Sequence, residues 1–284
     1  MPYTTLVSVS DAATHLGDPG WAFVDCRFVL GRPEHGREAY LARHIPGAVY
    51  ADLERDLSGP AVAGRTGRHP LPDQAALDAT FSRLGIGPET QVVAYDESTG
   101  AMAAARLWWL LRWASHDAVA VLDGGLSAWL AAGLPTASGE ETRPLALFKG
   151  RYRPELVAGA SEVLAVAGRS DGVLLDARTR DRFRGENETI DPVAGHIPGA
   201  VSMPYPDNLS PAGVFLSPER LAQRFADAAR TAPPEATIVY CGSGVTAAHD
   251  VLACAHAGLG MPKLYAGSWS EWITDPSRPV ATGE

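Results

Sequence analysis

Positive charge is in deficit in this 284-residue chain, where 24 Lys and Arg stand against 33 Asp and Glu for a net charge of −9. That sign is wrong for a protein whose main partner is a phosphate backbone or an anionic membrane, so neither nucleic acid nor a membrane is the expected partner. Cysteine is scarce too. Cys26, Cys241 and Cys254 form an odd set without Cys-x-x-Cys spacing, which excludes a disulfide framework and a thiolate metal site and fits a reducing, cytoplasmic compartment. The eight histidines lack the spacing of a metal motif, and no Gly-rich nucleotide loop opens a helix. No metal and no cofactor is expected. Long apolar runs are missing as well: residues 101–114, the most apolar stretch, contain Arg106 and Arg112 and fall short of the roughly 20 residues that span a bilayer. Residues 1–13 show no basic start leading into an apolar run, so no secretory signal is expected. What is present, 46% hydrophobic and 20% charged residues, describes a globular chain with room for about two domains.

The chain contains itself twice. His44-Ile45-Pro46-Gly47-Ala48-Val49 returns as His196-Ile197-Pro198-Gly199-Ala200-Val201, and Asp25/Arg27 is answered by Asp176/Arg178. Later in each copy, Gly124-Gly125-Leu126-Ser127-Ala128-Trp129 is answered by Gly267-Ser268-Trp269-Ser270-Glu271-Trp272. The order is the same in both copies, which predicts domains at 1–135 and 154–284 joined by a polar, aperiodic linker at 136–153. In the second copy, residues 172–176 and 237–240 read as strands. Residues 218–229, with Ser217 as N-cap and Leu221, Phe225 and Ala228 at helical spacing, read as a helix, and so do residues 246–256, ended by Gly258. Strand, helix, strand, helix predicts an α/β fold in which a parallel sheet is covered by helices on both faces.

Shared residues are scaffold by this internal control, and unshared ones are candidates for function. His44 and His196 each precede Ile-Pro-Gly, a turn signature, and are expected to bond backbone and fix that turn. At the end of one strand, however, copy one has Asp96 where copy two has Cys241. Ligands of parallel sheets sit at such carboxyl ends. Gly242-Ser243-Gly244-Val245-Thr246 then leads into a helix, so backbone amides and a helix N-terminus can converge on the sulfur and favour an anion there. That describes an activated nucleophile, whereas Cys254 lies among alanines in a helix and nothing around Cys26 suggests activation. A Cys-x5-Arg phosphatase needs a guanidinium where Ala247 stands, and no local pattern of a papain-like protease is present.

The duplication, both His-Ile-Pro-Gly-Ala motifs and the loop Cys241-Gly242-Ser243-Gly244-Val245-Thr246-Ala247 together resemble the tandem rhodanese-type sulfurtransferases, which act on thiosulfate or 3-mercaptopyruvate. The resemblance implies two tandem rhodanese-like domains, the first catalytically silent because Asp96 replaces the cysteine. It also implies a ping-pong reaction: Cys241 takes a sulfane sulfur from a small donor, becomes a persulfide held by a cradle that includes Gly242, Gly244, Val245 and Thr246, and passes the sulfur on. The acceptor would be cyanide or a thiol, either small or on a thioredoxin-like protein. Gly242 and Ser243 stand where the thiosulfate branch places Arg and Lys, so the loop looks like the mercaptopyruvate branch. In that branch the residue matching Arg182 holds the donor carboxylate, and residues matching Ser243, His69 and Asp52 form a proton relay drawing on both copies. Its second carboxylate-binding Arg has no match in the acidic stretch 186–192, which leaves Arg65 or Arg68 as substitutes. Thiosulfate as the main donor, and a non-catalytic sulfur-relay or binding scaffold, are the alternatives.

Overall fold

Short runs without polar alternation, such as Ala22-Phe23-Val24 and Ile238-Val239, form strands buried on both faces, as a parallel sheet between helices requires. The computed structural model describes residues 1–167, 172–229 and 232–284. Strands β1 (Leu6–Val7), β2 (Trp21–Asp25), β3 (Val49–Tyr50), β4 (Gln91–Tyr95) and β5 (Val119–Leu122) make one parallel sheet in the order β1-β5-β4-β2-β3. Strands β6 (Val173–Asp176), β7 (Val201–Ser202), β8 (Thr237–Tyr240) and β9 (Lys263–Leu264) make a second, in the order β7-β6-β8-β9. Both sheets are flanked by helices. Each has its own core, built around Phe23, Val93, Leu122 and Trp129 in one case and Leu174, Ile238, Trp269 and Trp272 in the other. Helices Pro218–Ala229 and Thr246–His256 lie where their periodicity predicts, and Gly258 after the second has φ +74°. Among the described residues no helix is long and apolar enough to cross a membrane.

The repeated motifs hold equivalent joints. The ring Nδ1 of His44 donates to the Tyr40 carbonyl at 2.7 Å, and that of His196 to the Phe183 carbonyl at 2.8 Å. The hydroxyls of Tyr95 and Tyr240 accept from the Ile45 and Ile197 amides at 3.2 and 3.1 Å. Arg27 and Arg178 each grip the Asp two residues earlier, with Nη2 at 2.7 Å in both. The two histidines thus fix turns, as their Ile-Pro-Gly context predicts.

Contacts divide the chain into two compact units, one of Met1–Gly59, Leu71–Arg153 and Pro211–Phe215, the other of Pro60–Pro70, Pro154–Ser210 and Leu216–Glu284. Two short segments therefore depart from the linear division. Pro60–Pro70, which sequence order assigns to copy one, packs with the second unit. The backbone of Gly67 lies so close to Gly267 that a side chain there would meet its carbonyl at 2.4 Å, and the Arg68 amide donates to Ser270 Oγ at 3.1 Å. The polar stretch 136–153 is no loose linker. It pairs with His44 through Ala137, then runs extended across the first unit, with Phe148 buried against Phe81 and Tyr152 against Trp113.

Candidate active site

Cys241 directly follows β8 and is 1% exposed. The Gly244 amide donates to its Sγ at 3.2 Å, and its own amide donates to Ser268 Oγ at 3.0 Å. Amides of Trp269 and Ser270 tie the Cys241 and Gly242 carbonyls to the neighbouring turn at 2.9 and 3.0 Å. Gly244 must be glycine: its φ is +76°, and an added Cβ would lie 2.4 Å from the Ala266 carbonyl oxygen. Val245 is the N-cap and Thr246 the first residue of the helix Thr246–His256, whose N-terminus carries no side-chain cap. Its partial positive charge faces the loop that carries the sulfur. Burial pushes the thiols of Cys26 and Cys254 well up, so both remain protonated at neutral pH.

Positive charge reaches this loop from outside it. A Cβ on Gly242 would lie 3.0 Å from Arg68 Nη2 and 3.5 Å from Arg182 Nη1, so two guanidiniums stand over the residue beside Cys241. Of the pair Arg65 and Arg68, it is Arg68 that reaches the loop; Arg65 is exposed. The arginine that stands beside Arg182 over the loop comes from Pro60–Pro70, while the stretch 186–192 contributes the acids Glu188 and Asp191, which pair with Arg182, each at 2.9 Å.

His69 and Ser243 also meet here, with Nδ1 and Oγ 2.8 Å apart and both residues buried. Asp52 belongs to the first unit, where its Oδ1 accepts from the Glu54 and Arg55 amides at 2.9 Å and its Oδ2 faces the Tyr50 hydroxyl at 3.4 Å. It caps the turn after β3. Sequence reasoning missed Ser268, Glu188 and Asp191. The first stood unread inside a repeat, and the other two registered only as the absence of an arginine.

Copy one keeps the same cradle and fills it from within. Asp96 Oδ1 accepts from the Gly100 amide at 2.9 Å, and Oδ2 from the Met102 amide at 3.0 Å. Burial raises this carboxyl, and the bonds from Gly100, Met102 and Ser98 pull against that rise. The Leu126 and Ser127 amides bond the Asp96 and Glu97 carbonyls as Trp269 and Ser270 bond those of Cys241 and Gly242.

Two segments, residues 8–132 and 160–275, match the family model of the Rhodanese-like domain. A probable 3-mercaptopyruvate sulfurtransferase of Pseudomonas aeruginosa is 50% identical over 285 residues, covering 100% of either chain. A putative thiosulfate sulfurtransferase of Mycobacterium tuberculosis is 44% identical over 269 residues, covering 94% of this chain and 92% of its own. Among solved structures, the 3-mercaptopyruvate sulfurtransferase from Leishmania major matches with a TM-score of 0.83 at 33% identity, over 97% of this chain and 75% of that one.

Proposed function

The chain belongs to the tandem-domain rhodanese-type sulfurtransferase family, and from that premise we propose that it moves a sulfane sulfur from 3-mercaptopyruvate, through a persulfide on Cys241, to a thiol or cyanide. One observation carries this reading: an amide donor aimed at the Cys241 sulfur lies beside two guanidiniums, in the copy that has a cysteine where the other has Asp96.

Mercaptopyruvate brings a carboxylate a few bonds from its sulfur, and Arg68 and Arg182 together offer that carboxylate a forked seat. Held there, the donor presents its sulfur to Cys241. The thiolate attacks that sulfur, the S–S bond forms as the C–S bond breaks, and the electron pair leaves on carbon as the enolate of pyruvate. A proton passing through Ser243 and His69 quenches the enolate as pyruvate. The persulfide that remains gives its outer sulfur to an acceptor thiolate or cyanide, and Cys241 leaves as thiolate again. Between the two halves of the cycle, the Gly244 amide and the helix N-terminus stabilise the charge on sulfur.

Thiosulfate as the better donor is the second reading, since two guanidiniums also suit a dianion. Against it stand Glu188 and Asp191, whose carboxylates already answer those positive charges. The expected kcat/KM favours mercaptopyruvate by at least about tenfold, equivalent to roughly 1.4 kcal/mol of transition-state binding. Intact-mass measurement after exposure to each donor tests the proposal. Gain of one sulfur, absent in Cys241→Ser, is the expected result; no adduct from either donor overturns it in favour of a binding scaffold.

A further inference from the structure

The guanidiniums over Gly242 are held by one side chain in common. Asp191 Oδ1 accepts from Arg68 Nη1, and Asp191 Oδ2 accepts from Arg182 Nη2 at 2.9 Å, so a single carboxylate bridges both. That side chain is only 2% exposed. Glu188, next to it, is spent on the chain itself. Its Oε1 takes the Ile190 and Asp191 amides at 2.9 and 3.0 Å together with Arg182, and its Oε2 faces Arg178 at 3.5 Å. Burial pushes the Glu188 carboxyl up, but these bonds outweigh it and hold the group below its ordinary range. Arg178 is in turn paired with Asp176. Arginines 68, 178 and 182 are thus matched by Asp176, Glu188 and Asp191, and the cluster is electrically neutral as a whole.

Neutrality does not leave the site without donors. Arg68 Nη2 and Arg182 Nη1 remain turned to Gly242, and the Arg68 Nε–H is buried with no acceptor among the described residues. We infer that Asp191 is a positioning residue that sets the charge of the donor the site accepts, an inference that rests on the sulfurtransferase reading above. It fixes the spacing of two N–H edges that fit one carboxylate. Because it places its own negative charge against both guanidiniums, a monoanion is seated while the second charge of a dianion is repelled.

A ladder of charge tests this. Asp191→Asn removes one negative charge and keeps an acceptor oxygen, whereas Arg68→Gln removes one positive charge. The kcat/KM for thiosulfate divided by that for mercaptopyruvate should rise about tenfold in Asp191→Asn and fall by a similar factor in Arg68→Gln, with wild type between them. In Asp191→Asn the thiosulfate rate should also fall more steeply with added salt than in wild type. A purely structural role would lower both donors in parallel, and an unchanged ratio overturns the inference. If Asp191→Asn does not fold, Asp191→Ser, which also removes the charge, decides in its place: a rise in the ratio supports the inference and a constant value overturns it. Persulfide on wild-type Cys241 with a flat ratio removes only this inference, whereas no persulfide from either donor removes the reading beneath it.

Discussion

At the scale of single residues, Ser268 holds a backbone conformation, φ +53°, that its counterpart Gly125 reaches at φ +58° without a side chain to clash. A β-carbon in the left-handed region costs about 1 kcal/mol. The copy with Cys241 bears that strain and gains a hydroxyl, which accepts from the Cys241 amide at 3.0 Å, donates to the Tyr265 carbonyl at 2.9 Å and lies 4.0 Å from the sulfur. Ser268→Gly should relieve the backbone and loosen the nucleophile. The expected outcome is a melting temperature close to wild type together with single-turnover persulfide formation slowed by roughly tenfold, the loss of about one good hydrogen bond at the reacting group. Equal rates in the two proteins would reduce Ser268 to a spacer.

At the scale of elements, the stretch 136–153 behaves as a strap. The side chains of Ala146, Phe148 and Tyr152 turn inward and the alternate ones outward, where Leu145 and Leu147 are exposed. Phe148 meets Phe81 with ring centroids 4.9 Å apart, and its amide donates to Ser82 Oγ at 3.1 Å. Phe148→Ala should lower the stability of the first unit by about 3 kcal/mol, read from chemical denaturation. A change below about 1 kcal/mol would mean that the strap merely lies on the surface. The strap's polar composition hid this alternation from the sequence reading, which sees only composition where no helical period is present. What was legible followed from local rules: the two helices of the second copy, the turn histidines and the strand-end place of Cys241 are all written within a few residues of themselves. The Gly67 contact with Gly267, the seating of Arg68 over Gly242 and the bridge through Asp191 join residues more than a hundred positions apart, and local pattern has no access to such pairings. His69 and Ser243 were named by family resemblance rather than by spacing.

At the scale of the whole molecule, stability carries a pH dependence to which Asp250 contributes. This residue sits on the helix behind the Cys241 loop with no exposed surface, and burial pushes its carboxyl up to about 7 from an ordinary 3.8, against the pull of Arg224 and of the Asn208 hydrogen bond at 2.6 Å. Its Oδ2 has no hydrogen-bond partner among the described residues. The folded chain therefore keeps a proton that the unfolded chain releases between about pH 4 and pH 7. Stability should fall as pH rises through that window and level off above it. Asp250→Asn preserves an acceptor for Asn208 and abolishes this contribution, so its stability relative to wild type should grow from pH 5 to pH 8 in urea titrations. Parallel curves for the two proteins would show that Asp250 does not retain its proton on folding.

The Asp96 loop has a consequence for how the molecule counts its ligands. Its cradle is occupied by a carboxylate that is part of the chain, at an effective concentration no dissolved anion can match. In the folded chain the Asp96 carboxylate takes the amide donors that an anion from solution would need. Of these two loops, the one built around Cys241 leaves its amide donor to the sulfur, so titration with an anion that competes for such amides is expected to show one equivalent bound between them.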